Sequence, residues 1–520
     1  VGYDVQGAQQ EITSRSGATT MTTGAPRPTG ATTGLGVPER VALAGLSAAL
    51  LVGSTWAVFS LPLHLDLVAA AGVVLAAVFF VLPRPSVLLL VALQVSVGML
   101  WWVPGTVGGL GLLELFGGAS SLLVLVLALP AMRRIEQSDL FVPVLLLGGL
   151  LVVAAFRAPT PVTGIGVLVR YAGPLVLALV VASLFREAWV QRLAWLTLAL
   201  AIVPPALVST WLLATGQMAE VSLAGLNRLV GGFQDVSAHG QVMAVGTALV
   251  LGAAPMVPGR WRTAAWALAA VTAACMFLSQ SRTAQIGLVG FGAVWLVASG
   301  RRRAALAMAV ALVIAVGTSS VLQDRFDDLV AWTTVDPLDG PQAIEDLGSG
   351  RVRIWKYSLE SFARQSPLDQ LFGVGLGDHR SLYLDTRTSG KATHNDWLAL
   401  AFQAGPLASL LYAWALARVA RAAWSLRAIA APSTWERAAA DAGLGLVVMV
   451  VVMNFFSNAF VSRVNTAWMF WAAAGLVVAI HARARAEVAA SGARRPAEVG
   501  GGRDEAPSIS GRDRRDSARA

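Results

Sequence analysis

Long apolar runs separated by short polar stretches set the pattern of this chain from residue 41 to residue 481. Runs long enough to cross about 30 Å of hydrocarbon fall at 41–60, 65–82, 86–103, 117–132, 140–156, 164–185, 193–214, 238–257, 263–280, 282–299, 304–321, 396–418, 442–460 and 465–481. They predict an all-α fold, a polytopic transmembrane helical bundle of about 12–14 spans. The fourth run follows a Gly-rich stretch at 104–118, PGTVGGLGLLELFGG, which reads equally as re-entrant or interfacial. The organisation expected is a bundle over 41–321 with about 11 spans, one long loop over 322–395, and about three spans over 396–481. Residues 1–40 and 482–520 are polar and predict disordered tails, the first not a cleaved signal peptide, with Met21 a second candidate start.

Composition narrows this further. Of 520 residues, 56% are apolar and only 13% charged, against roughly 25% charged in a soluble domain, which excludes a single water-soluble domain. The one cysteine, Cys275, lies in an apolar run, so neither a disulfide framework nor a cysteine-ligated metal is available. The net charge is +9, and only Lys356 and Lys391 among the basic residues are lysine. With arginine so abundant, the position of each one carries the information.

Those positions orient the chain. Arg133 and Arg134, Arg186 and Arg192, Arg260 and Arg262, Arg301 to Arg303, and Arg418, Arg421, Arg427 and Arg437 fall in alternate loops. The opposite short loops, 61–64 and 104–118, contain no Lys or Arg. Positive loops stay in the cytoplasm, so both termini are expected there. The long loop is then extracytoplasmic, and a loop of that length is more often functional than filler.

Within that loop, RVRIWKYSLESFARQ (351–365) places Val352, Trp355, Leu359 and Phe362 on one helical face. That fits an amphipathic helix on the membrane surface, or one packed on the tops of the spans. Further on, Gly373, Gly375 and Gly377 alternate in LFGVGLG. Such a run lets backbone approach a ligand closely, a plain turn being the alternative. No strand–turn–helix context makes it a dinucleotide fingerprint.

KATHNDWLALAFQAG then enters the next span, with His394 and Asn395 where the apolar run begins. A histidine can take a proton from a hydroxyl, while Asn395 and Asp396 also suit a helix cap. Arg282 in LSQSRTAQIG and Arg228 in GLNRLVGGFQD share that outer side, as functional groups or as ordinary loop charges. Arg170, in GVLVRYAGP, stands about 9 Å inside its span. A buried charge there is a functional candidate, with snorkelling to the interface as the alternative.

These residues fit one chemistry together. Arginine forks bind phosphate oxygens bidentately, and at the outer surface they suit a lipid pyrophosphate whose tail stays in the bilayer. A histidine beside them would activate a sugar hydroxyl, and the arginines would neutralise the departing diphosphate. No Asp-rich or His-rich ligand set accompanies them, so neither a metal nor a cofactor is expected.

The stretch Gly350–Gly405 resembles the signature region of the O-antigen ligase and Wzy polymerase family of bacterial membrane glycosyltransferases. The resemblance rests on Arg351 and Trp355, Pro367, LFGVGLG, His394-Asn395 and Gly405, with the SQSRTA turn and the Arg-x-x-Gly-x-Phe stretch at Arg228. It implies a multi-pass enzyme of the bacterial cytoplasmic (inner) membrane, active on its outer face. Such an enzyme moves a glycan from undecaprenyl diphosphate to an acceptor hydroxyl without metal. By resemblance His394 is the catalytic histidine and Arg228 and Arg282 the diphosphate clamp, joined by Arg170 on the strength of its depth. Arg351, Trp355, Gly373, Gly375 and Asn395 would support them. The implied partners are a lipid-linked glycan donor, a glycan or lipid-glycan acceptor and membrane lipids, not nucleic acid. Gln403 departs from the family, standing where an acidic residue is frequent, and ligases and polymerases share the signature.

A transporter or flippase of a lipid-linked or anionic envelope precursor is the alternative. Transporters often show two repeated halves; no repeat is visible here, and the polar features crowd one side of the membrane. A third reading is a catalytically silent envelope-assembly scaffold.

Overall fold

Proline in the first turn, where its missing N–H would have no intrahelical partner anyway, opens several of the helices. Pro83–Val97 (α1), Pro161–Leu184 (α4), Val203–Ala214 (α6) and Pro406–Ile429 (α13) all begin this way. The computed structural model describes residues 82–100, 106–107, 110–217, 220–221, 227–233, 235–300, 354–377, 393–460 and 463–492, all within one unit, Ser47–Ala520. The remaining helices are Leu112–Ile135 (α2), Phe141–Phe156 (α3), Ala188–Leu200 (α5), Val236–Ala253 (α7), Gly259–Leu278 (α8) and Arg282–Ala298 (α9). They are followed by 354–363 (α10), Pro367–Phe372 (α11), Asp396–Ala404 (α12), Trp435–Phe456 (α14) and Val464–Gly492 (α15). Among the described residues the fold is otherwise helical, with two antiparallel pairs of two-residue strands, Thr106–Val107 with Leu110–Gly111 and Glu220–Val221 with Asn227–Arg228.

Among the described residues, six segments are long and apolar enough to cross a membrane: Pro161–Leu184, Ala188–Ala214, Val236–Met256, Gly259–Leu278, Trp435–Phe456 and Val464–Ser491. Shorter apolar helices are Pro83–Val97, Phe116–Leu129, Phe141–Phe156 and Arg282–Ala298. The expected spans at 41–60 and 304–321, nearly all of 65–82, and Arg351 with Val352 lie outside the described residues. Leu122, Leu125, Val126 and Leu129 of α2 stand exposed at helical spacing, as do Leu145, Leu146, Val152 and Val153 of α3. Apolar rows of that length on the outside of a bundle suit contact with lipid. The protein is a multi-pass helical membrane protein.

The run 193–214 lies within the span Ala188–Ala214, whose helices α5 and α6 meet at a turn at residues 201–202 just before Pro204 and Pro205. Two expectations need correcting. The run 396–418 is likewise divided into α12 and α13 at Gly405. Its φ is +87°, and the Leu371 carbonyl oxygen stands where a Cβ would go, so only glycine suits the position. The C-terminal tail is not irregular from 482. Instead α15 continues to Gly492, held by Arg483, which pairs with Glu487 one turn on and with Glu436 of α14.

Helices α9 and α14 pack together and run antiparallel. At one end Thr283 Oγ1 donates to the Phe456 carbonyl at 3.2 Å. At the other, Arg427 and Arg437 share the Asp441 carboxylate and Arg427 donates to the Ala298 carbonyl at 2.8 Å. Buried α7 and α15 form the centre of the bundle, whereas α8 is largely exposed.

Candidate functional site

The first arginine is held by backbone. After Arg228, the Leu229 amide donates to the Leu278 carbonyl at 3.1 Å, laying this segment on the α8–α9 turn. Arg228 Nη2 donates to the Gln280 carbonyl at 3.3 Å, and Arg282 follows two residues later as the first residue of α9. The two expected clamp residues therefore share one turn. Among the described residues no side chain caps α9, and the buried Ser281 hydroxyl has no hydrogen-bond partner.

His394 stands at the mouth of α12. Asn395 caps that helix, its Oδ1 accepting from the Leu398 amide at 3.1 Å. Replacing Asn395 by alanine is expected to cost about 1 kcal/mol of stability, read as a lower unfolding midpoint, with Asn395→Asp restoring it. Trp355 donates its indole N–H to the Thr393 carbonyl at 2.7 Å, immediately before His394. Among the described residues only Gln280 and His394 are non-glycine residues with positive φ, 54° and 49°. Both belong to the candidate site, where uncommon backbone geometry tends to gather.

The two halves meet at the turn that ends α14. Thr283, beside Arg282, bonds Phe456, while Trp355 lies edge-on to Phe455 with ring centres 6.2 Å apart. The buried Asp396 carboxylate accepts from the Phe460 amide at 2.7 Å. Gln241 of α7 donates to the Ser457 hydroxyl at 2.8 Å, and Asn454 donates to the Tyr412 hydroxyl at 2.9 Å. Segment 454–460 is thus a hub touched from both the arginine turn and the histidine segment.

Arg170 is connected less directly. Its neighbour Tyr171 packs on Phe460 with ring centres 5.8 Å apart. Helix α4 begins at Pro161, so Arg170 lies about 13 Å along it rather than 9 Å. Among the described residues no hydrogen bond or ion pair engages its guanidinium. Arg463, which the sequence pattern passes over, is by contrast paired with Asp235 at 2.6 Å.

The glycine run is a packing device. Val374 and Gly375 donate to the carbonyls of Phe402 and Gln403 at 2.8 and 3.2 Å, and Leu376 donates to Ala154 at 3.0 Å. Arg157 clasps the same loop through the Gly373 carbonyl and an ion pair to Asp369. Gln403 lies beneath, its Oε1 accepting from Tyr171 at 3.2 Å and from the Gly377 amide at 2.9 Å. At Gly373 and Gly375 the backbone closely approaches that of Gln403–Ala404 and Arg157–Ala158, as a turn packed against the ends of helices does.

Helix α10 also differs from its expected face. It buries Ile354, Ser358 and Ser361, rests Phe362 on Phe402 at 5.1 Å, and leaves Leu359 48% exposed.

The arginine turn and the histidine segment thus meet at one end of a bundle of membrane helices. Residues 266–413 match the family model Wzy_C, described as O-antigen ligase, and this stretch of the chain is similar to that domain. Arg282, Trp355, Gly373, Gly375, His394 and Asn395 fall inside the match, and Arg170 and Arg228 precede it. No curated protein matches the chain.

Proposed function

We propose that the protein transfers a glycan from an undecaprenyl diphosphate carrier to an acceptor hydroxyl at the extracytoplasmic face. What carries this reading is the convergence of the Arg228–Arg282 turn and the His394 segment on residues 454–460. His394 takes the proton of the acceptor hydroxyl as its oxygen attacks the anomeric carbon. The bond from that carbon to the diphosphate breaks, and the diphosphate leaves with the lipid. Arg228 and Arg282, with the N-terminus of α9, stabilise the charge developing on it. Arg170 would serve the same anion from deeper in the bundle.

The test is purified protein with a lipid-diphosphate glycan and a panel of acceptor glycans. Arg282→Lys and Arg228→Lys are expected to lower kcat/KM for the donor about tenfold or more, because lysine lacks the planar fork. Unchanged donor kinetics in both variants would remove the arginines from the site. Movement of the lipid-linked glycan across a vesicle without covalent transfer would favour a transporter.

A further inference from the structure

The Arg-x-x-Gly-x-Phe stretch, which is not helical, packs on a buried histidine of α7. His239 of α7 is fully buried, as is Ser209 of α6. Its Nδ1 lies 2.9 Å from the Leu229 carbonyl, and since a carbonyl only accepts, Nδ1 carries the proton. Nε2 lies 2.9 Å from Ser209 Oγ, which is itself 2.7 Å from the Pro205 carbonyl. Phe233 stacks on the imidazole with ring centres 5.8 Å apart. At Gly231 a Cβ would stand 2.5 Å from the ring, so the glycine makes room for it. Two fixed positions of the stretch, Gly231 and Phe233, thus meet at His239, together with Leu229, which follows the third, Arg228.

Leu229 is the joint of this arrangement. Its amide is bonded to Leu278, its carbonyl to His239, and Arg228 is attached directly before it. We infer that His239, braced by Ser209, is a positioning residue that sets where the Arg228 guanidinium stands for the donor diphosphate. The imidazole is not a proton-transfer group here. It acts through one hydrogen bond to backbone, and the idea rests on the reading of Arg228 as a diphosphate ligand.

Asparagine places an amide nitrogen where Nδ1 stands and can keep the bond to Leu229; glutamine places it nearer Nε2, and leucine has none. The experiment measures binding of undecaprenyl diphosphate to the purified full-length protein in detergent. Wild type, His239→Asn, His239→Gln, His239→Leu and Arg228→Ala are compared, with folding checked by size-exclusion profile and thermal midpoint.

His239→Leu and His239→Gln are expected to weaken binding about tenfold, approaching Arg228→Ala, while His239→Asn stays within about threefold of wild type. Should the leucine variant not accumulate, the asparagine–glutamine contrast alone decides. Equal binding by wild type and the folded glutamine variant, or equal weakening by asparagine and glutamine, overturns the positioning role while a weak Arg228→Ala leaves the diphosphate reading intact. Wild-type affinity in Arg228→Ala itself overturns both.

Discussion

His394→Ala is expected to reduce glycan transfer by about 10²–10⁴-fold, the range a positioned general base supplies, while the protein reaches the membrane at a normal level. The mouth of α12 is held by Asn395 on Leu398, by Asp396 on Phe460 and by Trp355 on Thr393. What the variant loses is the group able to accept the acceptor's proton. Binding of undecaprenyl diphosphate should therefore be little altered, and the defect should appear in kcat. The measurement is turnover of a lipid-diphosphate glycan by purified protein, with donor binding followed separately. Turnover at the wild-type rate would eliminate the proposed mechanism.

Gly375→Ala is expected to have the largest effect on stability, about 3 kcal/mol or more, from backbone strain and overpacking together. Gly375 has φ +111°, and a Cβ there would run into the Arg157 carbonyl oxygen and stand 2.9 Å from the Ala158 nitrogen, both backbone atoms with little room to yield. Gly216 is the matched control, with φ +68° and nothing within 4 Å of the place a Cβ would take. Gly216→Ala should cost only the strain of a left-handed alanine, about 1–2 kcal/mol. The unfolding midpoints of both detergent-solubilised variants check this, and equal shifts would show that the contact with Arg157 contributes nothing.

The membrane helices were legible because an apolar run is a local property. Expected runs at 140–156, 164–185 and 282–299 match α3, α4 and α9 to within a few residues. Breaks were not legible from proline alone. Pro174 sits inside an unbroken α4, whereas α5 stops just ahead of Pro204 and Pro205; neighbouring helices decide whether freed backbone groups find partners. The face of α10 was misread because serines count as polar, yet Ser358 donates to the Ile354 carbonyl within its own helix and packs inward.

In the candidate site, Arg228, Arg282 and His394 stand out as charged or titratable groups beside apolar runs. The hub does not. Asn454 and Ser457 look like ordinary polar residues at the end of a span, and only packing between segments far apart in the chain reveals them. His239 offered a fainter signal, being a histidine inside an apolar helix.

The way α14 ends has a consequence for how the chain tolerates changes in length. Phe455, Phe456, Ser457 and Phe460 are each engaged by a different segment. Removing a single residue between them would throw those engagements out of register at once, and lengthening the turn would do the same. A library of one-residue deletions should therefore find an intolerant gap here, while the outward corner between α13 and α14 accepts them.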